Sequence, residues 1–145
     1  MKTVASRDNP AYRALAKLAS SAAERRKRGL SVIEGAHLVR ACLDAGHPVA
    51  QLFLTRAAAE AEAALAGRAR AASAVIVELA DALFAAVSGV ESPTGVIAVV
   101  STPAGRPVPP DARFCLALED LQDPGNVGTQ QRSAAGCRRC RGTGG

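Results

Sequence analysis

The sequence predicts an α/β fold: a small α/β/α unit with a mostly parallel sheet, preceded by one helix and followed by an incomplete second α/β unit. Three observations predict it. Four short segments rich in branched apolar residues, at 30–34, 49–55, 74–79 and 95–100, are separated by three helical patterns. The segments are almost continuously apolar rather than alternating, as expected of parallel strands covered on both faces. The third is the amount of core material. The chain has 145 residues, of which 32 are Ala, while Val, Ile, Leu and Phe together also number 32, or 22%. That is enough for one modest core and too little for two complete domains.

Each element has its own signals. Residues 9–28 read as a helix: Asn9 suits the N-cap, Pro10 the first helical position, and Gly29 the stop. Tyr12, Leu15, Leu18 and Ala19 form its apolar stripe. After the strand at 30–34, the helix at 36–45 carries Leu38, Val39, Cys42 and Leu43 at helical spacing. An Ala-rich helix at 57–72 follows the second strand, and a helix at 80–87, with Leu83, Phe84 and Val87, follows the third. Residues 102–111 then hold four of the eight prolines and no periodicity, which reads as a stiff linker.

Beyond the linker comes one more strand, at 113–118, then an acidic turn and a helix starting near Asn126. A parallel strand needs a neighbour reached through a crossover helix. Here the crossover begins and no returning strand follows. The organisation expected is therefore a basic helix over 1–29, an α/β domain over 30–102, a linker over 103–112 and the stump of a second domain over 113–145.

Charge is unevenly spread. Residues 1–40 hold nine Lys/Arg against three acids, residues 41–100 three against six, and residues 101–145 six against four. The excess is concentrated in Arg25, Arg26, Lys27 and Arg28. Two readings stand open: a contact surface for a polyanion such as RNA, or a solvated helix end whose cations complement the dipole. Glu34 ends a strand and either faces a substrate cleft or caps the next helix. Arg40, on the polar side of that helix, is a candidate RNA contact. Aromatics make up 3% of the chain, too few for a base-stacking platform. Any RNA binding is then led by shape and phosphate contacts, and is salt-sensitive.

The most informative stretch is Leu118-Glu-Asp-Leu-Gln-Asp-Pro-Gly-Asn-Val-Gly-Thr-Gln-Gln-Arg132. Pro124-Gly125 forces a turn and Asn126 can cap the helix that follows. Gly128 allows close backbone approach, free amides there can hold an anion, and Arg132 can aim a guanidinium at a phosphate or carboxylate. On physical grounds alone, an ordinary capped turn with a surface arginine fits equally.

The segment Asp123-Pro-Gly-Asn-Val-Gly-Thr129 with Arg132 resembles the first motif of the SpoU (TrmH-type) RNA 2′-O-ribose methyltransferases. Upstream, Ser6-Arg-Asp-Asn-Pro10, Arg28-Gly-Leu-Ser-Val-Ile-Glu-Gly35 and Val90-Glu-Ser-Pro-Thr-Gly-Val-Ile-Ala-Val99 resemble that family's substrate-binding domain and the helix before it. The likeness runs from about residue 3 to residue 135. It implies an RNA-binding α/β domain joined to a knotted methyltransferase domain that uses S-adenosylmethionine and usually forms a homodimer. It places Asn126 and Arg132 at the active site, the arginine linked to activation of the ribose 2′-hydroxyl, with Gly128 and Thr129 beside them on the RNA. In such chemistry an oxygen nucleophile must meet a methyl group in line, so proximity and a nearby cation matter more than a metal.

The departures matter as well. Gln130 and Gln131 stand where the family has apolar residues, and the pattern stops after Ala135. The family's later motifs, which build the cofactor pocket and most of the dimer surface, are absent. In their place stands the tail Gly136-Cys-Arg-Arg-Cys-Arg-Gly-Thr-Gly-Gly145. This composition suggests out-of-frame translation, so a truncated, inactive enzyme or a non-catalytic RNA-binding module is expected. Cys137 and Cys140 have the spacing of half a zinc site, but structural zinc takes four ligands, and the pair reads as a chance match. Cys42 and Cys115 sit singly in apolar segments and read as buried small hydrophobes, and no metal is expected. His37 and His47 read as surface or helix-end residues. No apolar run reaches the roughly 18–20 residues of a membrane span, and residues 1–9 carry no signal core, so a cytoplasmic protein is expected.

Overall fold

The computed structural model describes residues 2–105 and 110–111. The chain divides into two units, Met1–Ala104 and Gly105–Gly145, and the described residues lie almost wholly in the first. The expected strand at 113–118, the helix near Asn126 and the cysteine pair of the tail lie outside the described residues. The first unit is a five-stranded sheet between two layers of helices. Its strands are β1 (Lys2–Val4), β2 (Leu30–Glu34), β3 (Val49–Leu54), β4 (Val75–Leu79) and β5 (Val96–Ser101), in the order β1-β4-β3-β5-β2.

The α/β class and the four expected strands are present, and β1 is an addition. β1 has three residues and pairs in parallel with β4, placing Val4 opposite Leu79. The sheet is mixed where a mostly parallel one was expected. β1–β4 and β4–β3 are parallel, whereas β5 is antiparallel to both β3 and β2. Strands β2, β3 and β4 do run in one sense, each reached through helix, so β5 alone is reversed.

The connection before β5 explains this. It contains α6 (Asp81–Ala85), five residues that rise about 7.5 Å, against about 17 Å for a five-residue strand. The chain after α6 stays at the edge where β4 ended and enters β5 from there.

Two helical segments expected to be continuous are each broken once. The first is α1 (Pro10–Ser20) followed by α2 (Ala22–Arg28), separated by Ser21 in extended geometry at φ −128° and ψ 109°. The Ser21 hydroxyl accepts from the Glu24 amide at 3.2 Å and so starts the second helix. The Ala-rich segment is α4 (Arg56–Ala61) and α5 (Ala63–Ala71), broken at Glu62, whose φ is −111° and ψ 33°. High Ala propensity does not prevent a break where each piece has a different surface to cover.

Period-two alternation sorts the strand residues into two cores. On one face Leu52, Leu54, Val96, Ala98 and Val100 meet α3 (Ala36–Asp44), α4 and α5 through Val39, Ala58, Leu65 and Ala69. On the other, Phe53, Val77, Leu79, Ile97 and Val99 meet Tyr12, Leu15 and Leu18 of α1 and Leu83 and Phe84 of α6. The first helix is thus a layer of the domain and not an arm before it. Cys42 is half-buried and packs against the first core.

Candidate nucleic-acid interface

The three co-directional strands β2, β3 and β4 end at one edge of the sheet, and β5 starts there. Glu34 lies opposite Ile97, and Leu54 opposite Val96. Crevices at the carboxyl ends of strands are where open α/β sheets usually bind ligands. This edge gathers Gly35, Thr55, the start of α6 and the loop that leads into β5.

Glu34 ties that loop down. The Ser88 hydroxyl donates to its Oε1 at 2.6 Å, and the Gly89 amide donates to its Oε2 at 3.0 Å. Both carboxylate oxygens are therefore engaged by residues 54 and 55 positions away in sequence. Glu34 does not cap α3: the N-cap residue is Gly35, and no side chain bonds to that helix start. The alternative that Glu34 caps the next helix is thus corrected. The strand end spends its carboxylate on the loop because the loop offers two donors at once.

Two glycines make the close approach possible. Gly35 sits at φ 104°, and its amide donates to the Val96 carbonyl at 2.8 Å. Gly95 sits at φ 77°, where a Cβ would lie 2.4 Å from Thr55 Oγ1 and 2.9 Å from Ala58 Cβ. The Thr55 amide donates to the Gly95 carbonyl at 2.9 Å, and the Thr55 hydroxyl accepts from the Ala58 amide at 3.2 Å, capping α4. Beside this junction lies an open cleft of about 480 Å³. Alanines 57, 58, 61 and 85 and Phe84 line it, with Thr55, Thr94 and Asp81 as its polar groups.

The basic cluster is divided in role. The Arg25 guanidinium donates to the carbonyls of Leu18 and Ala19 at 2.7 and 3.1 Å, satisfying the exposed end of α1. Arg28 pairs with Glu24 at 2.6 Å one turn back. Arg26 and Lys27 are exposed, and among the described residues neither forms an ion pair. Arg40 pairs with Glu62, and Arg68 with Asp44 at 2.5 Å; both pairs join α3 to the α4–α5 layer. His37 and His47 are exposed. Asn126, Gly128, Thr129 and Arg132 lie outside the described residues.

Among the described residues no group of His, Cys, Asp and Glu could hold a metal ion, and no helix is long and apolar enough to cross a membrane. Sequence reasoning missed Ser88 and Gly89 as the partners of Glu34, and Asp81 and the alanines as cleft walls. Nothing in their local pattern marks them, because the sheet order alone brings them together.

Comparisons with known proteins agree with this architecture. Residues 3–98 match the MRM3-like substrate binding domain family. The chain is 33% identical over 134 residues to an uncharacterized tRNA/rRNA methyltransferase of Synechocystis, covering 92% of this chain and 48% of that protein. It spans about half the length of that relative. The fold matches an rRNA methyltransferase from Sinorhizobium meliloti with a TM-score of 0.62 at 19% identity, over 72% of this chain and 38% of that one. It also matches a TrmH-family protein from Porphyromonas gingivalis with a TM-score of 0.54 at 28% identity, over 85% and 46%. Through residues 3–98, which carry the strand-end cleft and the basic helix, the chain belongs to the MRM3-like substrate-binding domain family of SpoU (TrmH-type) RNA methyltransferases.

Proposed function

We propose that this chain is the RNA-recognising part of an S-adenosylmethionine-dependent 2′-O-ribose methyltransferase of the SpoU type, acting on rRNA or tRNA in the cytoplasm. The observation that carries this reading is the family match over residues 3–98, which coincides with the described α/β unit. The names of its relatives, tRNA/rRNA and rRNA methyltransferase, support the substrate class. The S. meliloti enzyme has also been solved with AdoMet bound, which supports the cofactor.

The cleft at the strand ends does not fit S-adenosylmethionine. Its lining holds no cation to meet the amino-acid carboxylate of that molecule. The cofactor is therefore not assigned to this unit, and its chemistry, supply of an electrophilic methyl group, belongs with Asn126 and Arg132. In this reading Asn126 and Arg132 belong to the active site, Arg132 assisting the ribose hydroxyl as it loses its proton, and Gly128 and Thr129 contact the RNA. The described unit contributes binding. Arg26 and Lys27 meet phosphates, Arg25 and Arg28 hold the helix that presents them, and Glu34 and Arg40 act through the architecture around them.

The homodimer that the resemblance implies for the family is not required by this reading; RNA is the partner it needs. Incubation of the intact chain with bulk RNA and labelled S-adenosylmethionine tests the proposal. RNA binding that weakens steeply with salt is expected. Methyl transfer in the same assay identifies the chain as an enzyme by itself, and binding without transfer identifies it as a recognition module. Absence of binding at low salt contradicts both.

A further inference from the structure

Resting on the RNA reading above, we propose that the strand-end cleft takes one unstacked nucleobase, held by an exocyclic amino group donating to Asp81. At about 480 Å³ the cleft is within the size range of small-ligand pockets. Its walls decide the ligand class. The methyl groups of Ala57, Ala61 and Ala85, with Phe84 beneath, offer apolar surface to a flat ring. No Lys, Arg or His lines it, so a phosphate finds no counter-charge there.

Asp81 adds the specific element. The ion pairs among the described residues engage Glu24, Glu62, Glu60 and Asp44, and not Asp81. An exposed carboxylate repels the RNA backbone but accepts from the amino edge of cytosine, adenine or guanine. Uracil carries no such donor. Single-stranded RNA is commonly read by splaying out individual bases into pockets of this kind.

The loop that carries Thr94 into the cleft wall is held at both ends. The bonds of Glu34 with Ser88 and Gly89 tether the loop at one end, and the Gly95–Thr55 contact tethers it at the other. The cleft is therefore held in place before a base arrives, which lowers the ordering cost of binding. Phosphate contacts through Arg26 and Lys27 then supply affinity, while the cleft supplies base preference.

Binding of the intact chain to oligo(U), oligo(C) and oligo(A) of equal length tests this directly. The wild type is expected to bind oligo(C) and oligo(A) roughly tenfold more tightly than oligo(U), and Asp81→Asn to narrow that ratio towards one. Ala61→Leu and Ala85→Leu, at exposed wall positions, are expected to weaken oligo(C) binding about tenfold without changing the salt slope, because no phosphate contact is lost. Thermal melts of each variant verify the fold. Equal affinity for the three oligomers, or leucine variants that fold and bind as the wild type does, overturns the base pocket alone. A wild type that binds no RNA overturns the functional reading and the pocket with it.

Discussion

The basic helix α2 and the strand-end edge are built in opposite ways. α2 buries no residue completely and presents Arg26, Lys27 and Arg28 to solvent. The strand-end edge is apolar within, bound by hydrogen bonds, and dependent on two glycines at positive φ. A solvated cation costs the fold nothing and can act at a distance, whereas a cleft must be held rigid to select. The difference separates affinity from selectivity within one small domain.

Substitutions can break either side of that comparison. The largest effect is expected at Gly95. Valine there meets both the strained φ and the 2.4 Å approach to Thr55, so Gly95→Val should cost more than about 3 kcal/mol, combining backbone strain with overpacking. Urea denaturation measures it; a variant within 1 kcal/mol of wild type by that order of magnitude would show that the edge is more pliant than its contacts imply. Glu34→Ala removes two loop bonds and leaves two donors to solvent, an expected loss of about 2 kcal/mol. Its loop should also become cleavable by protease near Ser88, where the wild type resists.

The basic cluster should split in two. Arg25→Ala loses the bonds to the end of α1 and is expected to lower stability by about 1 kcal/mol. The double variant Arg26→Ala with Lys27→Ala should melt within about 0.5 kcal/mol of wild type. If Arg26 and Lys27 prove as costly to stability as Arg25, the division between structural and binding cations is wrong.

How far the sequence reveals this arrangement depends on the range over which each feature is decided. The Asn9 cap, the Pro10 start and the Gly29 stop are local signals, and the structure has each: Asn9 accepts from the Ala11 amide at 2.9 Å, and Gly29 is left-handed at φ 61°. Strands β2 to β5 are legible because each is a short segment rich in branched apolar residues between helical patterns. β1 is not, since only Val4 of its three residues is a buried apolar anchor and its pairing with β4 spans more than 70 positions. The break at Ser21 was legible in principle, from a serine followed three residues later by Glu24, but the surrounding alanines favour one helix.

The direction of β5 and the Glu34 tether share a cause. Both are decided by where the chain from Ala86 to Gly95 is held, and no periodicity in that stretch records it. Asp81 and Arg40 show the same limit from opposite sides. Arg40 reads as a candidate RNA contact from its helical position, and Glu62 pairs with it across the layer. Asp81 draws no reading from its sequence position, and the sheet edge places it in the lining of a cleft.

The most direct measurement of the central claim is the salt dependence of RNA binding by the intact chain, with and without Arg26 and Lys27. On this account log affinity falls linearly with log salt, and the double alanine variant reduces the slope by about 2 while retaining its fold. Affinity that stays flat across the salt range, or a slope unchanged in the variant, would contradict it.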